Sequence, residues 1–332
     1  MRAAVIGLGV GERHIAGYEA DPRCRVVALC DVDPARLADV GARHPQRQLT
    51  TDPFAVLADP LIDVVSIASY DDAHHAQIMA ALSAGKHVFV EKPLCLHEHE
   101  LADIRRELNA HPKLKLSSNL ILRRSPRFAR LRERLRAGEL GTPYHAEADY
   151  NYGRLHKIVE GWRGRLPYYS VVHGGAIHMI DLIMWLLGER PRAVSAFGNA
   201  IATRGTPFRF DDCVVALMKF RSEATAKVTA NFGCVFPHHH NLSVYGTAAT
   251  FVHDRQGARV YTSRDPDAVP QVVDDPYPGA DKGDMLPAFV AAILDGGEPD
   301  VSAADVLDAM TVALAVEKSA RTGQTVEVRC DQ

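Results

Sequence analysis

Arg2-Ala3-Ala4-Val5-Ile6-Gly7-Leu8-Gly9-Val10-Gly11 decides the fold. A short apolar run, the length of one strand, empties into Gly-x-Gly-x-Gly, and a helical pattern follows from Glu12 to Ala20. Strand, glycine loop and helix in that order make a phosphate cradle. The first glycine permits the tight turn and the second lets backbone approach a pyrophosphate. The helix N-terminus offers unpaired N–H groups and partial positive charge. Gly11 comes one residue before the usual third glycine position, which Glu12 holds here. The second strand, Arg25 to Cys30, closes on Asp31, 24 residues after Gly7. A carboxylate there accepts both ribose hydroxyls of an adenosine and repels a 2′-phosphate, as would Asp33. NAD is therefore the expected cofactor, and Arg36, one helical turn on, keeps NADP open. The plainer alternative makes the glycines a simple turn and Asp31 a cap for the helix starting at Pro34. The strand–loop–helix context favours the nucleotide loop.

Outward from this stretch the alternation continues. The pattern predicts a helix over Pro34 to Arg43, a strand over Asp63 to Ala68 and a helix over Asp72 to Ala84. Next come a strand from His87 to Val90, a helix from Glu98 to Leu108 and a strand from Leu114 to Ser118. Continuous apolar strands alternating with helices imply a doubly wound parallel sheet covered on both faces. The rhythm then changes. A basic helix, Pro126 to Arg136, precedes a strand at Tyr144 to Tyr150, an irregular stretch from Gly153 to Val172 and an apolar helix from Ala176 to Leu187. Strands are predicted over Ala193 to Ile201, Cys213 to Phe220, Thr225 to Phe232 and Leu242 to Tyr245, with further pieces to Tyr261. Asp265 to Lys282 reads as a surface loop, and helices from Asp284 to Leu294 and Ala303 to Arg321 close the chain. The expected architecture is α/β, with a Rossmann domain over 1–121 and an α+β domain with an open, largely antiparallel sheet over 122–332.

Bulk properties exclude other classes. The 332 residues are 47% hydrophobic and 24% charged, ordinary for a globular protein. A net charge of −3 gives no case for a nucleic acid or an acidic membrane surface as partner. No apolar run is long enough to cross a bilayer, and the N-terminus does not read as a signal peptide. Cys24, Cys30, Cys95, Cys213, Cys234 and Cys330 are scattered without a Cys-x-x-Cys pair. Buried free thiols and a cytoplasmic location are expected.

The fourth strand runs into Glu91-Lys92-Pro93, which puts an amine at the carboxyl edge of a parallel sheet, where ligands bind. At this point several stretches coincide: Ala4 to His14; Cys30-Asp31-Val32-Asp33; Ser69-Tyr70-Asp71-Asp72-Ala73-His74; Ala84 to Pro93; Trp162-Arg163; His178 to Leu182; Tyr245-Gly246-Thr247; and Glu317 to Gly323. Together they resemble the Gfo/Idh/MocA oxidoreductases, with Ala84 to Pro93 the most specific. The resemblance implies a nicotinamide cofactor, redox chemistry on a sugar, cyclitol or nucleotide-sugar hydroxyl, and a homodimer or homotetramer formed through the open sheet. It implies a cofactor-binding set of Gly7, Leu8, Gly9, Val10, Gly11, Asp31, Val32, Arg36, Ser69, Tyr70, Asp71, His74, Glu91, Lys92 and Asn119. Tyr70 and Asp71 replace a family proline and asparagine. Lys92-Pro93 is a candidate cis bond.

Oxidising a secondary alcohol requires a base near neutral pKa for the hydroxyl proton. His178 needs no tuning for that role, and Lys92 needs burial or a neighbouring positive charge. These two are the expected catalytic pair. Lys92, Arg163, His173 and His178 form the expected substrate set. The family places an Asp four residues before the His, where this chain has Gly174; Tyr169 or His173 is a candidate substitute. Arg154, His156, Lys157, Arg163 and Arg165 crowd the irregular stretch, either as an anion grip or as a solvated loop. His238-His239-His240 invites a metal reading, but substrate lining or a surface cluster is favoured and no metal is expected. Two other functional classes stay open: a sensor that keeps the cofactor without turnover, and a lyase or glycosidase using transient oxidation.

Overall fold

The computed structural model describes residues 1–329, so Cys330 lies outside the described residues. The chain forms two compact units. The first takes Met1–Ile121 together with Ala280–Leu307; the second takes Leu122–Gly279 and the chain from Asp308 onward. The stretch from Ala280 to Leu307, which a linear reading leaves in the second domain, thus completes the first.

The first unit is built on six parallel strands: β1 (Arg2–Ile6), β2 (Arg25–Cys30), β3 (Gln48–Thr50), β4 (Val64–Ile67), β5 (His87–Val90) and β6 (Leu116–Ser118). Their order is β3-β2-β1-β4-β5-β6, and every pairing is parallel. The order reverses at β1, which creates a crevice at the carboxyl ends of β1 and β4. β4 is buried along its whole length, as a central strand covered on both faces must be. The helices are α1 (Glu12–Glu19), α2 (Pro34–Arg43), α3 (Pro53–Ala58), α4 (His74–Ser83) and α5 (Glu98–Ala110). β3 and α3 were not legible as elements: three residues of strand and six of helix are too short to show a period.

The second unit carries nine strands: β7 (Pro143–Asn151), β8 (Pro191–Asn199), β9 (Cys213–Phe220), β10 (Thr225–Asn231), β11 (His239–Gly246), β12 (Thr250–Asp254), β13 (Gly257–Tyr261), β14 (Gln271–Val273) and β15 (Val326–Glu327). The order is β14-β13-β12-β11-β7-β10-β9-β8-β15, antiparallel except for β7 with β10. β14 corrects the reading of Asp265 to Lys282 as loop throughout; it pairs with β13 through Ala258, Arg259 and Val260. Burial alternates along β7, β9 and β10, so one face packs and the other does not. Among its helices, α6 (Pro126–Arg136), α7 (His156–Val159) and α8 (Ile177–Leu187), α8 packs on β7, β10 and α6. Arg123 holds α8 in place: its guanidinium takes both oxygens of Asp181, at 3.0 and 2.5 Å, and both side chains are buried. Removing one partner of such a pair costs about 3–5 kcal/mol, which makes Asp181 a structural acid. α9 (Leu286–Leu294) packs on α1 and β5 in the first unit, and the division between units falls inside α10 (Ala303–Thr322).

Candidate active site

Gly7 leaves β1 with a φ of 87°, and a Cβ built on it would lie 2.2 Å from the Ala68 carbonyl oxygen. Only glycine fits there on both counts. The close approach seats the glycine loop against the end of β4, at the crevice where the strand order reverses. Asp31, 8% exposed, folds back onto the same loop. One carboxylate oxygen accepts from the Leu8 N–H at 2.7 Å and the other from the Asp33 N–H at 2.9 Å. Each oxygen keeps a lone pair for a further donor. The helix cap is Asp33, which accepts from Ala35 and Arg36 N–H ahead of α2. Asp31 is therefore not the cap that the plainer reading made it. The Arg36 guanidinium reaches back over the loop, 3.2 Å from where a Gly9 Cβ would stand. Val10, Val32 and Tyr70 follow β1, β2 and β4, three neighbouring strands, and all three are exposed.

Behind this edge runs a polar network. His74, fully buried, bridges the carbonyl oxygens of Pro93 at 2.7 Å and Ser69 at 3.2 Å. It ties the β4 loop to Lys92-Pro93, whose peptide bond is cis. Ser69 donates to Gln77 at 2.8 Å. Asn119 donates to Glu91 at 2.7 Å and to the Lys282 carbonyl at 3.0 Å. His14 lies 3.5 Å from the same Glu91 oxygen and 2.7 Å from the Ser66 hydroxyl. Lys92 is half-buried beside them. Burial pushes the Glu91 carboxyl up, but Lys282, His14 and Lys92 outweigh it and hold it well below the usual range.

That depressed carboxyl has a stability consequence. A glutamate ionised more readily in the folded state stabilises at pH above its ordinary value, and the contribution is lost as pH falls through the lowered one. In urea unfolding, the stability gap between wild type and Glu91→Gln is expected to be constant above about pH 5 and to shrink at more acid pH. A gap independent of pH down to about pH 3 would show that Glu91 is not held ionised.

In the second unit, His178 stands on the first turn of α8, 5% exposed. Its ring stacks on Tyr150 of β7, with centroids 6.0 Å apart and planes 14° apart. Val172–Ala176 forms a π-type turn that leads into α8, a feature that recurs at functional sites. Gly174 and Gly175 allow it. A Cβ on Gly174 would lie 2.1 Å from the Tyr169 hydroxyl, and one on Gly175 2.6 Å from the Tyr150 ring. The volume beside position 174 is thus filled by the Tyr169 phenol. Ser170 caps the turn: its hydroxyl accepts from the N–H groups of Val172 and His173 at 3.1 Å and donates to Glu317. Tyr168 donates to the other Glu317 oxygen at 3.2 Å. His173 is buried in this turn. Arg163 lies over the ring of Trp162 at 4.5 Å.

His238 and His240 lie close together, with ring centroids 4.9 Å apart. His240 pairs with the Tyr277 hydroxyl at 2.6 Å, and His238 with the Asn151 carbonyl at 3.1 Å. Burial, and then Arg154, push the His238 imidazole down to about 4.

The structure gathers the glycine loop, Asp31, Arg36, Glu91 and Asn119 on the first unit, and His173 and His178 on the second. Sequence reading missed Lys282, Tyr150, Ser170 and the Glu317 cap. Lys282 had no signal, because its segment is polar and rich in Pro, Asp and Gly. Tyr150 was detectable as a buried aromatic in an alternating strand.

Comparison with known proteins fits this geometry. Residues 1–118 match the oxidoreductase family with an NAD-binding Rossmann fold, and residues 128–252 match the GFO/IDH/MocA C-terminal domain. D-apiose dehydrogenase of Paraburkholderia graminis is 26% identical, over 99% of this chain and 90% of its own. Myo-inositol 2-dehydrogenase of Thermotoga maritima is 25% identical, over 99% of this chain and 98% of its own. A levoglucosan dehydrogenase solved with NADH and levoglucosan superposes with a TM-score of 0.82 at 21% identity, covering 99% of each chain. With both of its units matched in sequence, this chain belongs to the Gfo/Idh/MocA family of oxidoreductases.

Proposed function

We propose that the chain oxidises a secondary hydroxyl of a sugar or cyclitol with NAD, or reduces the matching ketone, using Lys92 and His178. The observation that carries this is the Gly7 turn at the head of the loop: its positive φ, and the Ala68 carbonyl oxygen that a Cβ there would approach to 2.2 Å, admit only glycine, as a dinucleotide loop packed on the end of β4 requires. The residues fit a nicotinamide dinucleotide. Asp31 has lone pairs left for the ribose hydroxyls, the exposed Val10, Val32 and Tyr70 offer an apolar seat for adenine, and Asn119 keeps a buried carbonyl oxygen with no partner beside Glu91. When bound, the nicotinamide accepts or returns the hydride. His178 takes the hydroxyl proton during oxidation and returns it during reduction. The Lys92 ammonium donates to the reacting oxygen and stabilises its developing negative charge. Ser69 and Asp71 flank the cofactor, while His74 positions their loop from behind.

A panel of polyols and sugars, assayed for NADH formation, tests the activity; failure of every member with both NAD and NADP would count against it. Asp31 sets the cofactor. Asp31→Ser is expected to shift the NADPH-to-NADH affinity ratio toward NADPH by roughly 10- to 100-fold, because it removes a like charge from the 2′-phosphate position. An unchanged ratio would move the specificity elsewhere, Arg36 being the next residue to test. Phe197, Val215 and Leu217 are exposed on neighbouring strands β8 and β9, which supports assembly of the open sheet with a second copy, as a homodimer or homotetramer. Five free cysteines among the described residues support a cytoplasmic setting.

A further inference from the structure

An aromatic strip leads away from His178 within the second unit. His178 stacks on Tyr150, and Tyr150 is nearly parallel to Tyr152, with centroids 6.2 Å apart and planes at 18°. Beyond Tyr152 comes Arg154, whose guanidinium carbon lies 5.5 Å from that ring's centroid. His238 flanks the strip, 5.3 Å from Tyr150 and 5.8 Å from Tyr152. The strip therefore joins an imidazole at one end to a guanidinium at the other.

Arg154 is half-buried, and among the described residues no carboxylate lies within ion-pair distance of it. Elsewhere in the same unit a buried arginine is neutralised, as Arg123 is by Asp181. A partly desolvated cation with only a ring face for company has lost hydration without gaining a counter-charge, and an incoming anion offsets that cost. The surrounding segment agrees in sign: residues 153–172 carry Arg154, Lys157, Arg163 and Arg165 and one acidic residue, Glu160, in a chain whose net charge is −3. Burial raises the Tyr150 phenol, and the charges of Arg154 and Arg163 pull it the other way. Both guanidinium groups thus act on the ring that His178 stacks on.

We propose that the substrate carries an anionic group, a carboxylate or a phosphate, seated against Arg154 while its reacting hydroxyl lies at His178. Between them Tyr150 and Tyr152 are buried and Phe232 stacks on both, so the strip is a packed support that holds the two ends and is not itself a seat for the sugar. A guanidinium fork pairs with either anion through two parallel N–H donors, geometry that a neutral polyol does not use. The proposal rests on the oxidoreductase reading and adds the charge of its substrate.

The test has two arms. In the first, NADH formation is followed with glucuronate, gluconate and glucose 6-phosphate against glucose and myo-inositol. At least one anionic compound is expected to exceed the neutral ones in kcat/KM by roughly 10- to 100-fold, mainly through KM, and Arg154→Gln is expected to bring that ratio close to one. Whether the preferred compound is an acid or a phosphate identifies the anion. Turnover of the neutral sugars alone, or a preference that survives Arg154→Gln, overturns the proposal and leaves the oxidoreductase reading intact. In the second arm the same compounds are titrated calorimetrically into the protein saturated with NADH. Heat from an anionic compound that is absent in Arg154→Gln supports the site even when no compound is turned over, a result that would count against the oxidoreductase reading instead. No heat from any anionic compound, with none turned over preferentially, overturns the anion site.

Discussion

Alanine at Lys92 or at His178 is expected to lower kcat by roughly 10²- to 10⁴-fold while changing the NAD dissociation constant less than about threefold. The two residues come from different units, Lys92 from the loop after β5 and His178 from the first turn of α8. Neither belongs to the glycine loop or to Asp31, so the adenosine and pyrophosphate contacts survive the substitutions. Loss at His178 removes the proton carrier, and the remaining activity is expected to rise with pH as hydroxide takes over. Loss at Lys92 keeps His178 and with it the wild-type pH dependence, and removes a charge-assisted hydrogen bond to the reacting oxygen. Steady-state kinetics beside fluorescence titration of NADH checks both. Full turnover in the two variants would refute the assignment.

Aspartate at position 174 is expected to destabilise the protein by about 3 kcal/mol or more. Its Cβ would lie 2.1 Å from the Tyr169 hydroxyl and its carboxylate would enter a buried turn. The relevant volume belongs to Tyr169, which is 2% exposed and also edges onto the rings of Phe208 and Phe232. Combining Gly174→Asp with Tyr169→Ala is expected to recover a good part of the loss, because the obstructing ring has gone. Urea unfolding of the three variants measures this. An unperturbed Gly174→Asp single variant would show that the turn has room to spare, and that Tyr169 does not stand in the place of a carboxylate. Gly174 and Tyr169 fit each other: the glycine leaves the space that the phenol takes.

Much of the first unit was legible in the sequence because its elements are long, periodic and punctuated. β1, β2 and β5 begin and end where the apolar runs do, and α2 starts at Pro34 behind an aspartate cap. The glycine loop and Asp31 were legible because tight turns and close backbone approaches restrict residue type. What was not legible depended on contacts distant in sequence. Lys282 lies 191 residues after Glu91, yet it supplies the largest opposing influence on that carboxyl and a carbonyl to Asn119. No local pattern marks such a partner. Likewise Glu317 braces Ser170 across nearly half the chain, so the cap of the π-type turn emerges only once α10 is placed. The roles of Asp31 and Asp33 show the same limit at short range. Both are aspartates beside a proline-led helix, and only the fold reveals that Asp33 caps it while Asp31 turns back to Leu8.

Calorimetric titration of the purified protein with NADH tests the central claim without knowledge of the substrate. Saturable binding at one site per chain is expected, with micromolar or tighter affinity, and it should vanish in Gly7→Val, whose side chain would collide with the Ala68 carbonyl. Absence of heat with both NADH and NADPH, or binding undiminished in a folded Gly7→Val variant, would contradict a dinucleotide lying on the glycine loop.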